Sequence, residues 1–347
     1  MKTIPTTDLE HVLNHTNDLW KEYFPKGSTI FITGGTGFFG KWILESFIFI
    51  NEKLHLNGKL IVLSRDPENF LLQFPQFNHS SIIFLKGDIR TFIFPEAKID
   101  FIVHAATAPG VSFNIEQPLL MFDTIVDGTK NILELAKQKK VKAILHTSSG
   151  AVYGKQPSEL THVSEEYIGS PDIYESGAAY GEGKRVAEML CNLYFRNYNV
   201  PSKVARCFAF AGPYLPLDGH FAVGNFIKNI LDGAAIKVNS DGTAIRSYMY
   251  AADLTVWLFT VLFKGNVCHP YNVGSEEDLS IEDVAKIIAS FSNKPVDIQI
   301  AEKKINSKPL RYVPSTSRAK QELNLQSYFN TKQTLQKTFN YYLNESK

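Results

Sequence analysis

A short apolar run, Thr29–Thr33, passes directly into the string Thr33-Gly34-Gly35-Thr36-Gly37-Phe38-Phe39-Gly40, where an apolar helical pattern begins. Strand, tight turn and helix in this order leave a chain few choices of fold. Glycines at 34, 37 and 40 permit a sharp turn, close approach of the backbone to a bound group, and packing of the helix against the strand. The helix N-terminus behind them offers unpaired N–H donors and the positive end of its dipole. A glycine string alone is a common turn; in this context it predicts a cradle for the pyrophosphate of a dinucleotide, formed by Gly34, Thr36, Gly37, Phe38, Phe39 and Gly40.

The rest of the chain continues the alternation. Strands are expected at Leu60–Leu63, Ile82–Leu85, Phe101–His104, Ala143–Thr147 and Lys203–Phe208, with amphipathic helices such as Val126–Lys139 and Ala178–Asn197 between them. Nearly continuous apolar strands separated by helices predict a parallel sheet covered on both faces. The expected fold is therefore α/β, a Rossmann-type doubly wound parallel sheet with a smaller C-terminal substrate-binding lobe. Residues 1–26 read as an appended helix, with Leu9, Val12, Leu13, Leu19 and Trp20 at roughly helical spacing. Residues 27–208 form the dinucleotide-binding domain, with returning segments near 245–274. From Ala209 the pattern becomes irregular and rich in Gly and Pro, and residues 209–347 make up mainly the lobe, with a helix at Ile281–Ser290 and a strand at Val296–Ile300.

The 347 residues carry a net charge of +1, which argues against a general polyanion binder such as a nucleic-acid protein. Three widely spaced cysteines, Cys191, Cys207 and Cys268, form neither a metal spacing nor a disulfide framework, so no metal is expected and a reducing cytoplasm suits them. The N-terminus lacks the apolar core of a signal peptide. Phe38–Ile50, the most apolar stretch, is too short for a membrane span and contains Lys41 and Glu45; it reads as a buried helix.

The end of the second strand reads Leu63-Ser64-Arg65-Asp66. An acid there receives the ribose hydroxyls of NAD, whereas an Arg accommodates the extra phosphate of NADP. Ser64 stands where the acid is expected and Arg65 follows, which favours NADP(H), with NAD(H) and Asp66 as the alternative. Farther on, Tyr180 and Lys184 lie one helical turn apart, so both side chains point the same way. A phenol of ordinary pKa near 10 is a poor base at neutral pH, and a neighbouring ammonium favours its phenolate. Such a pair is commonplace by itself. Its companion is Ser148-Ser149-Gly150-Ala151-Val152-Tyr153-Gly154 after an apolar strand, at the carboxyl edge where open α/β sheets bind ligands. There Ser149 can hold the oxygen that Tyr180 protonates.

Taken together, these pieces resemble the extended short-chain dehydrogenase/reductases, specifically the nucleotide-sugar epimerase/dehydratase branch. Further matching pieces, in family order, are Gly87-Asp88-Ile89, His104-Ala105-Ala106, Val126-Asp127-Gly128-Thr129, Gly212-Pro213, Arg246 before Asp253, and Tyr271-Asn272-Val273-Gly274. The resemblance implies Asp88 and Ile89 beside the adenine and Ala105, Ala106 and Thr107 beside the cofactor, which Lys184 also holds. It makes Ser149, Tyr180 and Lys184 catalytic, and it places Arg246, Arg311 and Asn225 on the sugar nucleotide, the arginines at its diphosphate. A cytoplasmic homodimer acting on a nucleotide-diphosphate sugar, with no nucleic-acid or membrane partner, is expected.

The departures narrow the reaction. Sugar 4,6-dehydratases of this branch commonly place an acid and a base directly after the catalytic Ser or Thr, and the related decarboxylases usually have Glu where Ala151 stands. Here the two positions are Gly150 and Ala151, which supply neither. Glu165, Glu166, Asp172 and Glu175 are the nearby acids from which a relocated group would come. Ala209 and Ile125 stand where the family often has Asn. The expected activity is hydride transfer at the sugar C4 position, as a 4-epimerase or a 4-ketoreductase. The alternatives are a nucleotide-sugar 4,6-dehydratase and a non-catalytic dinucleotide-binding regulator, which would not need Ser149, Tyr180 and Lys184 together.

Overall fold

Seven parallel strands form the centre of the computed structural model, which describes residues 3–107, 111–217, 219, 221–301 and 308–344. They are β1 (Thr29–Thr33), β2 (Lys59–Ser64), β3 (Ile82–Lys86), β4 (Phe101–His104), β5 (Ala143–Ser149), β6 (Ser202–Cys207) and the returning strand Pro270–Val273. From one edge to the other the order is Pro270–Val273, β6, β5, β4, β1, β2, β3. The chain thus winds outward from β1 through β2 to β3, then crosses back to β4 and winds the other way. Between β1 and β4 the connections diverge to opposite sides and leave a crevice at the strands' carboxyl ends.

Strand residues alternate between two cores, as a sheet covered on both faces requires. Ile30, Ile32, Leu60, Val62, Val103 and Leu145 face a layer containing α1 (Thr6–Tyr23), α2 (Phe38–Lys53) and the helix Ala251–Lys264. Phe31, Ile61, Leu63, Ile102 and Ile144 face the helices Pro118–Lys139 and Ala178–Tyr198 through Ile132, Leu133, Ala136, Cys191 and Tyr194. β5 runs two residues beyond its expected end, because Ser148 and Ser149 stay in register with Arg206 and Cys207. The most apolar helix is Ala251–Lys264 rather than the one after the glycine turn. Every residue from Ala251 to Phe263 is buried, since the helix is covered by the sheet on one side and by α1 on the other. No helix among the described residues is long and apolar enough to cross a membrane.

The N-terminal helix α1 packs on the layer of α2 and Ala251–Lys264. Trp20 is fully buried, with its ring 5.1 Å from Phe24, 5.9 Å from Phe47, 4.9 Å from Phe259 and 5.1 Å from Phe263. The same helix holds polar anchors: the Asp8 carboxylate accepts from the Tyr250 hydroxyl at 2.5 Å and pairs with Lys337 at 2.8 Å, and His11 meets Asp253 at 3.0 Å.

The region after Ala209 is more ordered than its composition suggests. Asp278–Ser280, Ile245–Ser247 and Arg311–Tyr312 form a three-stranded sheet, and Ile236–Val238 pairs with Ile298–Ile300. The helices Ala222–Leu231, Ile281–Ala289 and Thr331–Leu343 close around Phe226, Ile227, Val284, Ile288 and Phe339. Trp20→Ala is expected to lower stability by about 3–5 kcal/mol, the usual cost of deleting a fully packed aromatic side chain. Denaturant unfolding of the variant and the parent measures it.

Candidate active site

The glycine turn lies at the crevice between β1 and β4. Gly34 has φ of 72°, and a Cβ there would stand 2.5 Å from the Ala105 carbonyl oxygen; one at Gly40 would stand 2.3 Å from the carbonyl oxygen of Gly34. Helix α2 starts after Gly37 without a side-chain cap, which leaves its first-turn N–H groups for an anion. These features fit a dinucleotide pyrophosphate. Phe38 and Phe39 pack as side chains, the Phe39 ring lying 5.1 Å from Phe210, so the turn offers their backbone rather than their rings; Thr36 is half-buried.

A polar bracket joins the two strands that flank the crevice. Thr33 Oγ1 lies 2.8 Å from His104 Nδ1 and accepts from the Ala106 N–H at 3.2 Å, and His104 Nε2 lies 3.0 Å from Thr129 Oγ1. Burial, aided by the charge of Lys184, pushes His104 down to about 3, so the imidazole stays neutral. Ala105 and Ala106 follow this bracket, and Thr107 Oγ1 lies 3.8 Å from Met121 Sδ. At the end of β2, Ser64 is buried and Arg65 exposed, while Asp66 Oδ1 accepts from Asn69 N–H at 3.2 Å and caps the next helix. Asp88 is held by the Arg90 backbone N–H at 2.9 Å and its guanidinium at 2.9 and 3.0 Å, and Ile89 packs beside Gly128.

Ser149 ends β5 and caps the short turn Gly150–Tyr153, its hydroxyl accepting from Ala151 N–H at 3.1 Å. The helix Ala178–Tyr198 delivers the other two residues. Asn114 anchors its start by accepting from Tyr180 N–H at 3.1 Å and donating to Gly177 O at 2.8 Å. The Tyr180 ring packs on Met121, Ile125 and Ala187, so Ile125 forms an apolar wall where the family often has Asn. Lys184 is buried and its Nζ donates to Thr147 O at 2.8 Å, 5.9 Å from the Tyr180 ring centroid. Burial raises the Tyr180 phenol above its ordinary value, and the Ser149 hydroxyl draws it back. The Lys184 ammonium, turned to the Thr147 carbonyl, is not among the influences on this phenol.

Sequence reasoning missed Tyr312. Its hydroxyl lies 3.4 Å from Ser149 Oγ and 3.5 Å from Cys207 O, and its ring lies 4.7 Å from Phe208. Arg311 was singled out beside it, and alternation along a strand puts the two on opposite faces, which is the signal that was available. Arg311 itself pairs with Asp278 and donates to Thr161 O at 3.3 Å. Arg246 is half-buried and donates to Ile245 O and Leu310 O, with its guanidinium carbon 5.9 Å from the Tyr312 ring centroid. Among the described residues it has no carboxylate partner. Asn225 is half-buried on the helix Ala222–Leu231.

The neighbouring acids have other work. Glu165 accepts from Asn272 N–H at 2.7 Å, Glu166 pairs with Arg318 at 2.6 Å, Glu175 pairs with Lys155, and Asp172 accepts from Tyr174 N–H at 3.0 Å. Ser148 donates to Glu188, which binds Arg206 on the adjacent strand.

Residues 30–274, more than half of the chain, match the NAD dependent epimerase/dehydratase family. The chain belongs to that family. It is accordingly an NAD-dependent enzyme of the extended short-chain dehydrogenase/reductase class. Among relatives, it is 30% identical over 305 residues to UDP-glucuronic acid decarboxylase 6 of Arabidopsis thaliana, covering 87% of this chain and 85% of that one. It is 29% identical over 317 residues to UDP-glucuronic acid decarboxylase 1 of Xenopus tropicalis, covering 91% and 72%. Its fold is that of the UDP-glucose 4-epimerase of Thermotoga maritima, solved with UDP-glucose (TM-score 0.79, 20% identity, 92% and 100% covered). A similar likeness holds to the UDP-glucuronic acid 4-epimerase of Bacillus cereus, solved with UDP-glucuronic acid and NAD (TM-score 0.78, 22% identity, 91% and 99% covered).

Burial lowers Lys184 from 10.5 to about 8. Between these values the unfolded enzyme binds the extra proton, so this group makes stability rise with pH across that window. Relative to the parent, Lys184→Met is expected to be favoured most below pH 8 and to lose that advantage as pH approaches 10.5. Denaturant unfolding of both proteins at several pH values across the window tests the sign.

Proposed function

We propose that this enzyme transfers hydride at C4 of a nucleotide-diphosphate sugar, with 4-epimerisation or reduction of a 4-keto sugar as the net reaction. The relatives and fold neighbours are named for nucleotide sugars, which supports the substrate class. The observation that carries the reaction is the filled space beside Ser149. A Cβ at Gly150 would stand 2.7 Å from the Phe208 ring and 2.8 Å from the Tyr312 hydroxyl. No carboxylic acid fits there without displacing both rings, and Ala151 has no ionisable group. The site is thus poor in what elimination of water requires, a base for one carbon and an acid for the departing hydroxyl. It also lacks the Glu that the decarboxylases usually have at position 151.

When bound, the nicotinamide cofactor supplies the hydride acceptor and donor. The glycine turn, Asp88, Ile89, Ala105, Ala106 and Thr107 line its place, and Lys184 holds the nicotinamide ribose. Tyr180 exchanges the proton of the C4 oxygen while Ser149 orients that oxygen. The half-buried guanidinium of Arg246 takes the diphosphate, with Asn225 beside the sugar nucleotide; Arg311, already paired with Asp278, steadies the strand that carries Tyr312. The reading for NADP(H) is supported by the end of β2, where Asp66 caps the next helix through Oδ1 and Arg65 is exposed, since a free guanidinium suits a phosphate. The enzyme acts as a cytoplasmic homodimer. Met189 and Leu193, one turn apart on the helix Ala178–Tyr198, and Leu119 on its neighbouring helix are exposed apolar residues of the kind a subunit interface covers.

Incubation with a panel of nucleotide sugars and 4-keto sugars, with both cofactors, tests the reaction by mass and NMR. Unchanged mass with altered NMR signals, or a gain of two hydrogens, is expected. Loss of water or carbon dioxide would overturn the proposal. On the substrate so found, Tyr180→Phe is expected to lose about 10²–10⁴-fold in turnover while cofactor binding persists. Arg65→Ala is expected to erase most of an NADP preference worth about 1.5–3 kcal/mol. Titration with the two reduced cofactors measures it, and tighter NAD binding by the parent refutes it.

A further inference from the structure

The helix that carries Tyr180 and Lys184 begins without a cap of its own. Its N-cap, Gly177, has no side chain, while the first amides of a helix need acceptors from outside it. Ala178 N–H finds the Glu175 carbonyl at 3.0 Å. Tyr180 stands at the third helical position, where the side-chain oxygen of a local Ser, Asp or Asn cap ordinarily bonds. That oxygen comes instead from Asn114, 66 residues earlier in the chain. Its Oδ1 accepts from Tyr180 N–H at 3.1 Å while its Nδ2 donates to Gly177 O at 2.8 Å. Both arms of one amide grip the first turn, and one of them holds the main chain of the residue assigned the proton transfer.

Asn114 lies on the short helix Val111–Glu116, which begins shortly after Thr107, the last residue of the segment proposed to line the cofactor. A second link runs beside it. Thr107 Oγ1 lies 3.8 Å from Met121 Sδ, and Met121 belongs to the cluster on which the Tyr180 ring packs. Tyr180 is therefore held at its amide and at its ring by the stretch of chain that follows β4. Its place is set relative to the strand end at the crevice, and not by its own helix alone. Lys184 differs. It lies one turn farther in, and its ammonium is held by the Thr147 carbonyl of β5. Loss of Asn114 would release Tyr180 and leave Lys184 where it is.

We propose that Asn114 is a positioning residue for the reaction: it caps the catalytic helix from a separate element and so fixes the backbone from which the Tyr180 phenol reaches the substrate oxygen. It acts through Tyr180 and needs no contact with substrate or cofactor. A misplacement on the order of 1 Å is enough to slow such a proton transfer severely. The proposal rests on the assignment of Tyr180 as the proton-exchanging group, given above.

The test compares the full-chain parent with Asn114→Ala, which removes both arms, and Asn114→Asp, which keeps an oxygen for the Tyr180 amide. Hydrogen exchange reads the cap itself. The Tyr180 amide is expected to exchange about five- to tenfold faster in Asn114→Ala, the worth of one net hydrogen bond, and near the parent rate in Asn114→Asp. The Lys184 amide is expected to be unchanged in both. Turnover reads the placement. On the substrate that the panel identifies, Asn114→Ala is expected to lose about ten- to hundredfold in kcat, with KM and dinucleotide affinity within about twofold of the parent. Asn114→Asp is expected to regain most of that loss. Parent-like kcat in Asn114→Ala, dinucleotide affinity lost in step with kcat, an Asp variant no better than Ala, or unchanged exchange at Tyr180 overturns the proposal. A parent that turns over none of the sugars, or a Tyr180→Phe variant as active as the parent, refutes the underlying reading. Faster exchange in Asn114→Ala then marks a structural cap only, and the proposal falls with that reading.

Discussion

The structure depends on one close approach, that of the backbone at Gly34 to the carbonyl of Ala105. It fixes how near the turn after β1 lies to the end of β4, and these are the strands between which the winding of the sheet reverses. A side chain at Gly34 would force the two strand ends apart. The bracket of Thr33, His104 and Thr129 keeps the same pair in register from below, with its histidine neutral so that no buried charge needs compensation. Everything assigned to dinucleotide binding is positioned relative to this contact.

The residues proposed to carry the chemistry, with Tyr312 beside them, lie on both sides of a seam. Ser149, Tyr180 and Lys184 come from the sheet domain, while Arg246 and Tyr312 come from two adjacent strands of the small lobe. Buried polar links make the seam rigid. Arg206 binds Glu188 at 2.7 Å and Tyr153 at 2.8 Å, Tyr153 donates to Asn272 at 2.8 Å, and Asn272 donates to the carbonyls of Val163 and Ser315. Each member has partners, which is the condition under which such a network stabilises a unique arrangement. It runs from the strand beside Ser149 to the segment that carries Tyr312.

Much of this was legible in the sequence where the physics is local. The turn of Gly34, Gly37 and Gly40, the six first strands, and the pairing of Tyr180 with Lys184 all follow from periodicity and short spacing. Where the outcome depends on contacts distant in sequence, local pattern failed. The direction of the Lys184 ammonium is set by the Thr147 carbonyl, 37 residues away. Tyr312 reaches Ser149 across 163 residues, and its strand is only two residues long, so alternation with Arg311 gave its face but not its partner. The small lobe looked irregular for the same reason: its strands are two or three residues each and gain their partners only through tertiary pairing.

Helix α1 has a consequence of its own. Through Trp20 it packs on α2 and on the helix Ala251–Lys264, and through Asp8 it joins Tyr250 to Lys337 on the C-terminal helix of the lobe. A single element is thereby shared by the hydrophobic interior of the sheet domain and by the lobe. Neither half can loosen without disturbing it, so the two are coupled in unfolding and melt as one cooperative unit rather than as a stable core with a separately fraying lobe.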